Sequence, residues 1–232
     1  LTGGLEIHEN GHGATDLVQF VDGDCEVVEG WIEHAAARLD ADPGLAAVAG
    51  RRRERYPDAS RYNRLIDAEW ATPVGPARAI GGDGMLRADA LAAIGGYRED
   101  LIAGEEPEMC LRLIRKGWRI ERLDAEMTRH DAALMRFGQW WTRARRAGHA
   151  FAEGAALHGR GPERHWVAET RRALAEAQRC RDRAGRNADH LVLFSPWVDV
   201  TMENPAAREV QKRDVSLNCD LLAAAGLWWA GD

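Results

Sequence analysis

The sequence predicts an α/β layered domain. Three observations carry that expectation. Short apolar runs of strand length, "DLVQFVD" and "LAAVAGR", alternate with amphipathic stretches of helix length. Glycine and proline punctuate them at Pro43–Gly44, Gly95–Gly96 and Gly117. One helix start is sharply marked, in "GEEPEMCLRLIRKGW".

Bulk properties narrow the function classes. A chain of 232 residues suits one large domain or two small ones and is long enough to bury a core. Hydrophobic content of 45% and charged content of 29% are those of an ordinary globular protein. The formal net charge of −6 argues against general nucleic-acid binding, because a phosphate backbone requires a basic surface. No run of about 18 apolar residues predicts a membrane span, and no signal peptide is evident. Cys25, Cys110, Cys180 and Cys219 are scattered and form no CxxC pair, so neither a zinc site nor a disulfide framework is expected, and a reduced compartment is. The chain opens at Leu1 and closes on "WWAGD"; both ends are expected to be cut.

The elements follow in order. "DLVQFVD" reads as a buried strand. Gly30 to Leu39 reads as a helix with Trp31, Ile32, Ala35, Ala36 and Leu39 on one face, broken at Pro43 and Gly44. "LAAVAGR" is a second strand, and the Arg-rich "RRRERYPDASRYN" a polar loop before a helical stretch over residues 64–70. "ARAIGGDGMLR" reads as a strand entering a glycine turn, and "RADALAAIGGY" as a short helix stopped by Gly95 and Gly96. In the next helix Glu106 takes the cap and Pro107 the first helical position, with acids at the positive end of the dipole and Arg112, Arg115 and Lys116 near the other. "WRIERL" alternates like an edge strand. From Phe137 to about Gln178 the pattern is helical and polar, interrupted near "HGRGP". At about Arg179 the character changes, and a new strand is expected at Leu191 to Phe194. Two parts are therefore expected, residues 1–178 and 179–232.

Chemistry is first suggested by "FVDGDCEVVEGW", where an apolar run leads into two aspartates separated by one glycine. Side chains alternate along a strand, so Asp22 and Asp24 can both project from its carboxyl end, where ligands bind in open α/β sheets. Hard oxygen ligands suit Mg²⁺ or Mn²⁺ shared with phosphate oxygens. Asp-Gly-Asp is also ordinary turn chemistry. Glu105, Glu106 and Glu108 are explained equally by helix capping. Asp83 fits a turn as well as a ligand contact. Arg51, Arg52, Arg53 and Arg55 fit a solvated loop as well as an anion site, and Trp140 and Trp141 fit packing as well as sugar stacking.

The order of these features resembles the family-2, nucleotide-sugar-dependent glycosyltransferases of the GT-A type, from about Val18 to about Ala175. The segments that carry it are "DGD", "GGDGMLRADALAAIGGY", "GEEPEMCLRL", "MTRHD" and "FGQWWTRARRAG". The resemblance implies a partial GT-A-like sandwich. It implies Asp22 and Asp24 as metal and diphosphate ligands, with His130 completing the metal shell. Gly82, Asp83, Trp140 and Trp141 would lie on the acceptor side. Glu106, where the family usually has Asp, would be the base, with Glu105 in support. The partners implied are a nucleotide-sugar donor and a carbohydrate or lipid-linked acceptor, with a divalent metal, Mg²⁺ or Mn²⁺, and a cytoplasmic setting that includes the inner face of the membrane. The reaction implied is a single inverting displacement. The family's nucleotide-binding strands are expected before Leu1, so the chain is expected to be inactive as it stands.

The tail "HLVLFSPWVDVTMENP…RDVSLNCDLLAAAGLWWAGD" resembles the hormone-sensitive-lipase-like α/β-hydrolases. No G-x-S-x-G elbow accompanies it, so Ser195 is assigned no role. The alternatives to the transferase reading are a carboxylesterase or lipase fragment, or an inert chimeric product.

Overall fold

The computed structural model describes residues 6–8 and 16–184, with side chains over 16–175. The chain divides into two compact units. One holds the residues through Leu101 together with Glu105–Met135; the other holds Ile102–Gly104 and the residues from Arg136.

The first unit is built on a mixed sheet. Its strands are β1 (Glu6–His8), β2 (Leu17–Phe20), β3 (Cys25–Val27), β4 (Leu45–Glu54), β5 (Gly75–Pro76), β6 (Gly84–Arg87) and β7 (Arg119–His130). They lie in the order β1-β2-β6-β4-β7-β3, and β5 also pairs with β7. Among the described residues only β4 and β7 pair in parallel, from Leu45↔Arg119 to Glu54↔His130. The helices are α1 (Trp31–Ala41), α2 (Arg61–Glu69), α3 (Ala88–Ala93) and α4 (Glu105–Arg115).

The apolar pattern explains the core. Leu45 to Ala49 are all buried, as expected of a strand covered on both faces. Small side chains there let α1 approach, and it packs on β4, β6 and β7 through Trp31, Ala35 and Leu39. The buried Trp31 indole donates to Gln19 Oε1 at 2.8 Å, and Gln19 Nε2 donates to the Phe20 carbonyl, also at 2.8 Å. Gly50 is a contact point: a Cβ there would lie 2.8 Å from Trp31 Cζ3, 2.8 Å from Met127 Cβ and 2.7 Å from the Ala125 carbonyl oxygen. On α4, Glu108 is buried against Arg112, whose guanidinium also donates to the carbonyls of Ile94 (2.6 Å) and Gly96 (2.7 Å) and so ties down the end of α3.

Four expectations change. The arginine run is not loop but the second half of β4, because pairing with β7 carries the strand to Glu54. The glycine turn precedes its strand rather than following it, since β6 begins only at Gly84. "WRIERL" opens a strand that has β4 along one side and β5 and β3 along the other, so it is interior. Helix α4 begins at Glu105, which places Glu106 inside the first turn and not at the cap; Pro107 remains where N–H groups lack helical partners.

The second unit contains α5 (Phe137–His158) and α6 (Val167–Ala184). Trp166 is wedged in it: its ring meets Phe151 edge-on at 5.2 Å and fills the space beside Gly104 and Gly154. Thr170 Oγ1 donates to the Phe151 carbonyl at 2.8 Å, joining the two helices. Helix α6 runs through residue 179. The expected strand Leu191–Phe194 and the hydrolase-like tail lie outside the described residues.

Candidate active site

Topology gathers the predicted residues. β2 and β4 are each antiparallel to β6, and β4 is parallel to β7, so β2, β4 and β7 all run the same way. Their carboxyl ends deliver Asp22, Glu54 and His130 to one edge of the sheet. The amino ends of β3 and β6 deliver Cys25 and Asp83 to the same edge, because those strands run the other way.

There Asp22, Asp24, Cys25 and His130 each offer a ligand atom, all within 4.8 Å of one another. His130 Nε2 lies 3.1 Å from Asp24 Oδ1. The 22–25 turn is closed by a bond from the Cys25 N–H to the Asp22 carbonyl (2.9 Å), and the Asp131 N–H donates to the Asp24 carbonyl (3.1 Å). The His130 ring rests edge-on against Trp70 at 4.8 Å, with Nδ1 4.0 Å from Glu54 Oε2. Glu54 is itself fixed, accepting from the N–H groups of Tyr56 and Ala132, both at 2.9 Å. Two carboxylates and an imidazole form a donor set able to hold a divalent cation. Burial, with Asp83 and Asp22 adding to it and Arg52 opposing, pushes the Cys25 thiol far above its ordinary range. Desolvation, Asp83 and Asp24 raise Asp22, with Arg52 opposing them.

Arg52 supplies the positive charge between the carboxylates. Its Nη2 lies 3.1 Å from Asp22 Oδ2 and 2.8 Å from Asp83 Oδ1, and its Nε donates to Asp83 Oδ2 at 3.0 Å. The guanidinium sits over the Trp70 ring, 5.3 Å from its centroid. Asp83 has no exposed surface. It accepts from the Asp22 N–H (2.9 Å) and from Thr128 Oγ1 (2.6 Å). Asp83 is thus enclosed by Arg52, Thr128 and the Asp22 backbone. Gly82, at φ +98°, lies against this pair; a Cβ would stand 2.8 Å from Arg52 Nη2 and 3.3 Å from Asp22 Oδ2.

The same loop reaches Glu106. Glu106 Oε1 accepts from the Ile80 N–H at 2.7 Å and from the Cys110 thiol at 2.9 Å, while Oε2 accepts from the Gly81 N–H at 3.1 Å. Burial raises the Glu106 carboxyl above its ordinary range, although these bonds and the Arg122 charge pull the other way. Oε1 is saturated; Oε2 has one lone pair left. Glu105, beside it, is half-buried. One short loop, Ile80 to Asp83, thus holds Glu106 at one end and the acidic group at the other.

Trp140 and Trp141 belong to the second unit. Trp140 is buried, with its ring 5.6 Å from Phe137, and offers no open face for a sugar. Trp141 stacks on Phe137 at 6.1 Å. Sequence reasoning missed the parts played by Arg52, Thr128, Trp70 and Glu54. A buried arginine among four arginines in five residues gives no local signal; strand length alone could have exposed it.

No protein-family model matches the chain. The pre-mycofactocin glycosyltransferase of Mycobacterium tuberculosis, strain CDC 1551 / Oshkosh, is 29% identical over 128 residues, covering 50% of this chain and 27% of that protein. The protein of the same name from strain H37Rv gives the same figures. The chain thus spans about a quarter of the length of these relatives. Among solved structures, the mannosyltransferase PcManGT from Pyrobaculum calidifontis, in complex with GDP-Man and Mn²⁺, superposes with a TM-score of 0.49 at 18% identity, over 93% of this chain and 56% of that one. TarS 1–349 of S. aureus gives 0.41 at 16% identity, over 68% and 47%. At these scores the structures carry no functional inference. The sequence similarity links part of this chain to part of a glycosyltransferase.

Proposed function

We propose that this chain carries the diphosphate- and acceptor-side portion of a nucleotide-sugar-dependent glycosyltransferase that inverts the anomeric centre. The observation that carries the reading is the convergence of Asp22, Asp24 and His130 within 4.8 Å at the strand ends, joined by one loop to Glu106. The partial similarity to the mycobacterial enzyme supports it.

A divalent ion held by Asp22, Asp24 and His130 would stabilise the charge of a departing diphosphate. The acceptor hydroxyl oxygen bonds to the anomeric carbon as the bond from that carbon to the diphosphate oxygen breaks, its electron pair leaving with the diphosphate. The hydroxyl proton passes to Glu106 Oε2, the oxygen with a free lone pair. A carboxyl raised by burial is better matched to that role near neutral pH than an exposed one. Glu105 serves the acceptor's neighbouring hydroxyls. The acceptor is a carbohydrate or a lipid-linked one, and the setting is a reduced, cytoplasmic one. Among the described residues no helix is long and apolar enough to cross a membrane.

The test is calorimetric titration of pyrophosphate, ADP, GDP and UDP into the full chain with and without Mn²⁺. The expected result is Mn²⁺-dependent binding, lost in Asp24→Ala and kept in Glu106→Gln. Binding indifferent to Mn²⁺ or to Asp24 would overturn the reading.

A further inference from the structure

Asp83 is an expensive residue to place where it is. A carboxylate with no exposed surface must be fully compensated. Here it is, and each partner belongs to the frame around the acidic group: the Asp22 backbone N–H, Arg52, and Thr128 on the strand that ends at His130. Arg52 and Thr128 face each other as Cα partners across β4 and β7, so the contact is built into strand register. Arg52 in turn holds Asp22 Oδ2, which leaves Oδ1 for a cation. The Arg52 charge is cancelled by that of Asp83, so the pair orients Asp22 without adding repulsion toward an incoming ion. The Trp70 ring supports both Arg52 and His130.

We infer that Asp83 and Arg52 are positioning residues of the metal site, an ion pair that sets the Asp22 carboxylate and the turn to Cys25 before a cation arrives. The inference rests on the divalent-metal reading given above and deepens it. Its direction follows from charge and geometry together. Asp83→Asn leaves Arg52 with Asp22 as its only anion, draws Asp22 off the ion, and leaves an uncompensated positive charge beside the site. Both effects weaken metal binding. Arg52→Lys keeps the charge but cannot fork between Asp22 and Asp83.

The experiment measures Mn²⁺ dissociation constants on the full chain by water-proton relaxation, with no nucleotide and no turnover, alongside metal-free thermal melting. Asp83→Asn is expected to weaken Mn²⁺ by about 10- to 100-fold, and Arg52→Lys by about tenfold, as for other groups that orient metal ligands. The double variant Asp83→Asn with Arg52→Met replaces the pair by neutral side chains and keeps the net charge, which removes the uncompensated buried charge a single variant leaves; it too should lose about tenfold. Wild-type Mn²⁺ affinity in any of these folded variants, whatever its melting temperature, overturns the inference. Asp24→Ala separates the two claims: if wild-type chain shows no Asp24-dependent Mn²⁺ binding, the metal reading itself falls and the positioning role falls with it.

Discussion

Replacing Glu106 by Gln should remove a specific pH dependence from the stability of the fold. Burial holds the Glu106 carboxyl above its ordinary range, so the folded state keeps a proton that the unfolded chain releases near pH 4.3. Between the unfolded and folded pKa values the native state binds more protons, and unfolding free energy falls as pH rises, by up to about 1.4 kcal/mol per pH unit. Above the folded pKa the difference is constant. Gln has no such slope. It has a fixed cost instead: its carbonyl can keep the Ile80 N–H, but its amide then faces the Gly81 N–H that Oε2 now accepts at 3.1 Å. Leaving that donor unpaired costs about 1–3 kcal/mol. The stability advantage of wild type over Glu106→Gln should therefore be greatest at pH 4 and shrink toward pH 7. Urea unfolding at half-unit pH steps measures it. An advantage that is flat with pH, or grows with it, would refute the raised carboxyl and with it the fitness of Glu106 as a base near neutrality.

Two further outcomes concern the frame. Gly50→Ala should destabilise the first unit by about 1–3 kcal/mol through overpacking, since the new methyl meets Trp31, Met127 and the Ala125 carbonyl all below 3 Å; denaturant melts read this directly. Trp31→Phe should cost about 1–3 kcal/mol by stranding the buried Gln19 Oε1, and Trp31→Phe with Gln19→Leu should recover part of it, which a double-mutant cycle measures.

Element types were legible where the pattern was local. The α1 stripe of Trp31, Ala35 and Leu39 could be read because helix period and burial coincide. The clustering of Asp22, Asp24 and His130 was expected only from motif order; nothing in the spacing of those residues sets it, because β3 and β7 must first pair at Cys25↔His130. Arg52 was hidden for a related reason. Composition makes residues 51–55 a solvated loop, yet pairing with β7 extends β4 to Glu54 and turns Arg52 inward, while Arg53 goes to Asp67 and Arg55 to Glu26. Asp83 looked like turn chemistry, and it follows a bend at Gly82 just before β6; that this stretch is buried depends on the neighbouring strands. Trp140 could not be judged from sequence, since packing and sugar stacking use the same residue.

The two carboxylates at the end of β2 raise a question that the sheet answers from a distance. Asp22 and Asp24 repel, and Asp83 makes a third negative charge close by. No basic residue lies between Phe20 and Trp31 to offset them. The offset comes from Arg52, brought in because β6 lies between β2 and β4 in strand order and delivers Asp83 to both neighbours at once. That loop is tied down at both ends. Ile80 and Gly81 are tied to Glu106, Asp83 is tied to Arg52 and the Asp22 N–H, and Gly82 between them has a φ of +98° that favours glycine. Glu106 and the acidic group are therefore linked by four residues of backbone, Ile80 to Asp83. One loop thus anchors both groups, and the Arg52–Asp83 pair fixes the end of it that meets Asp22.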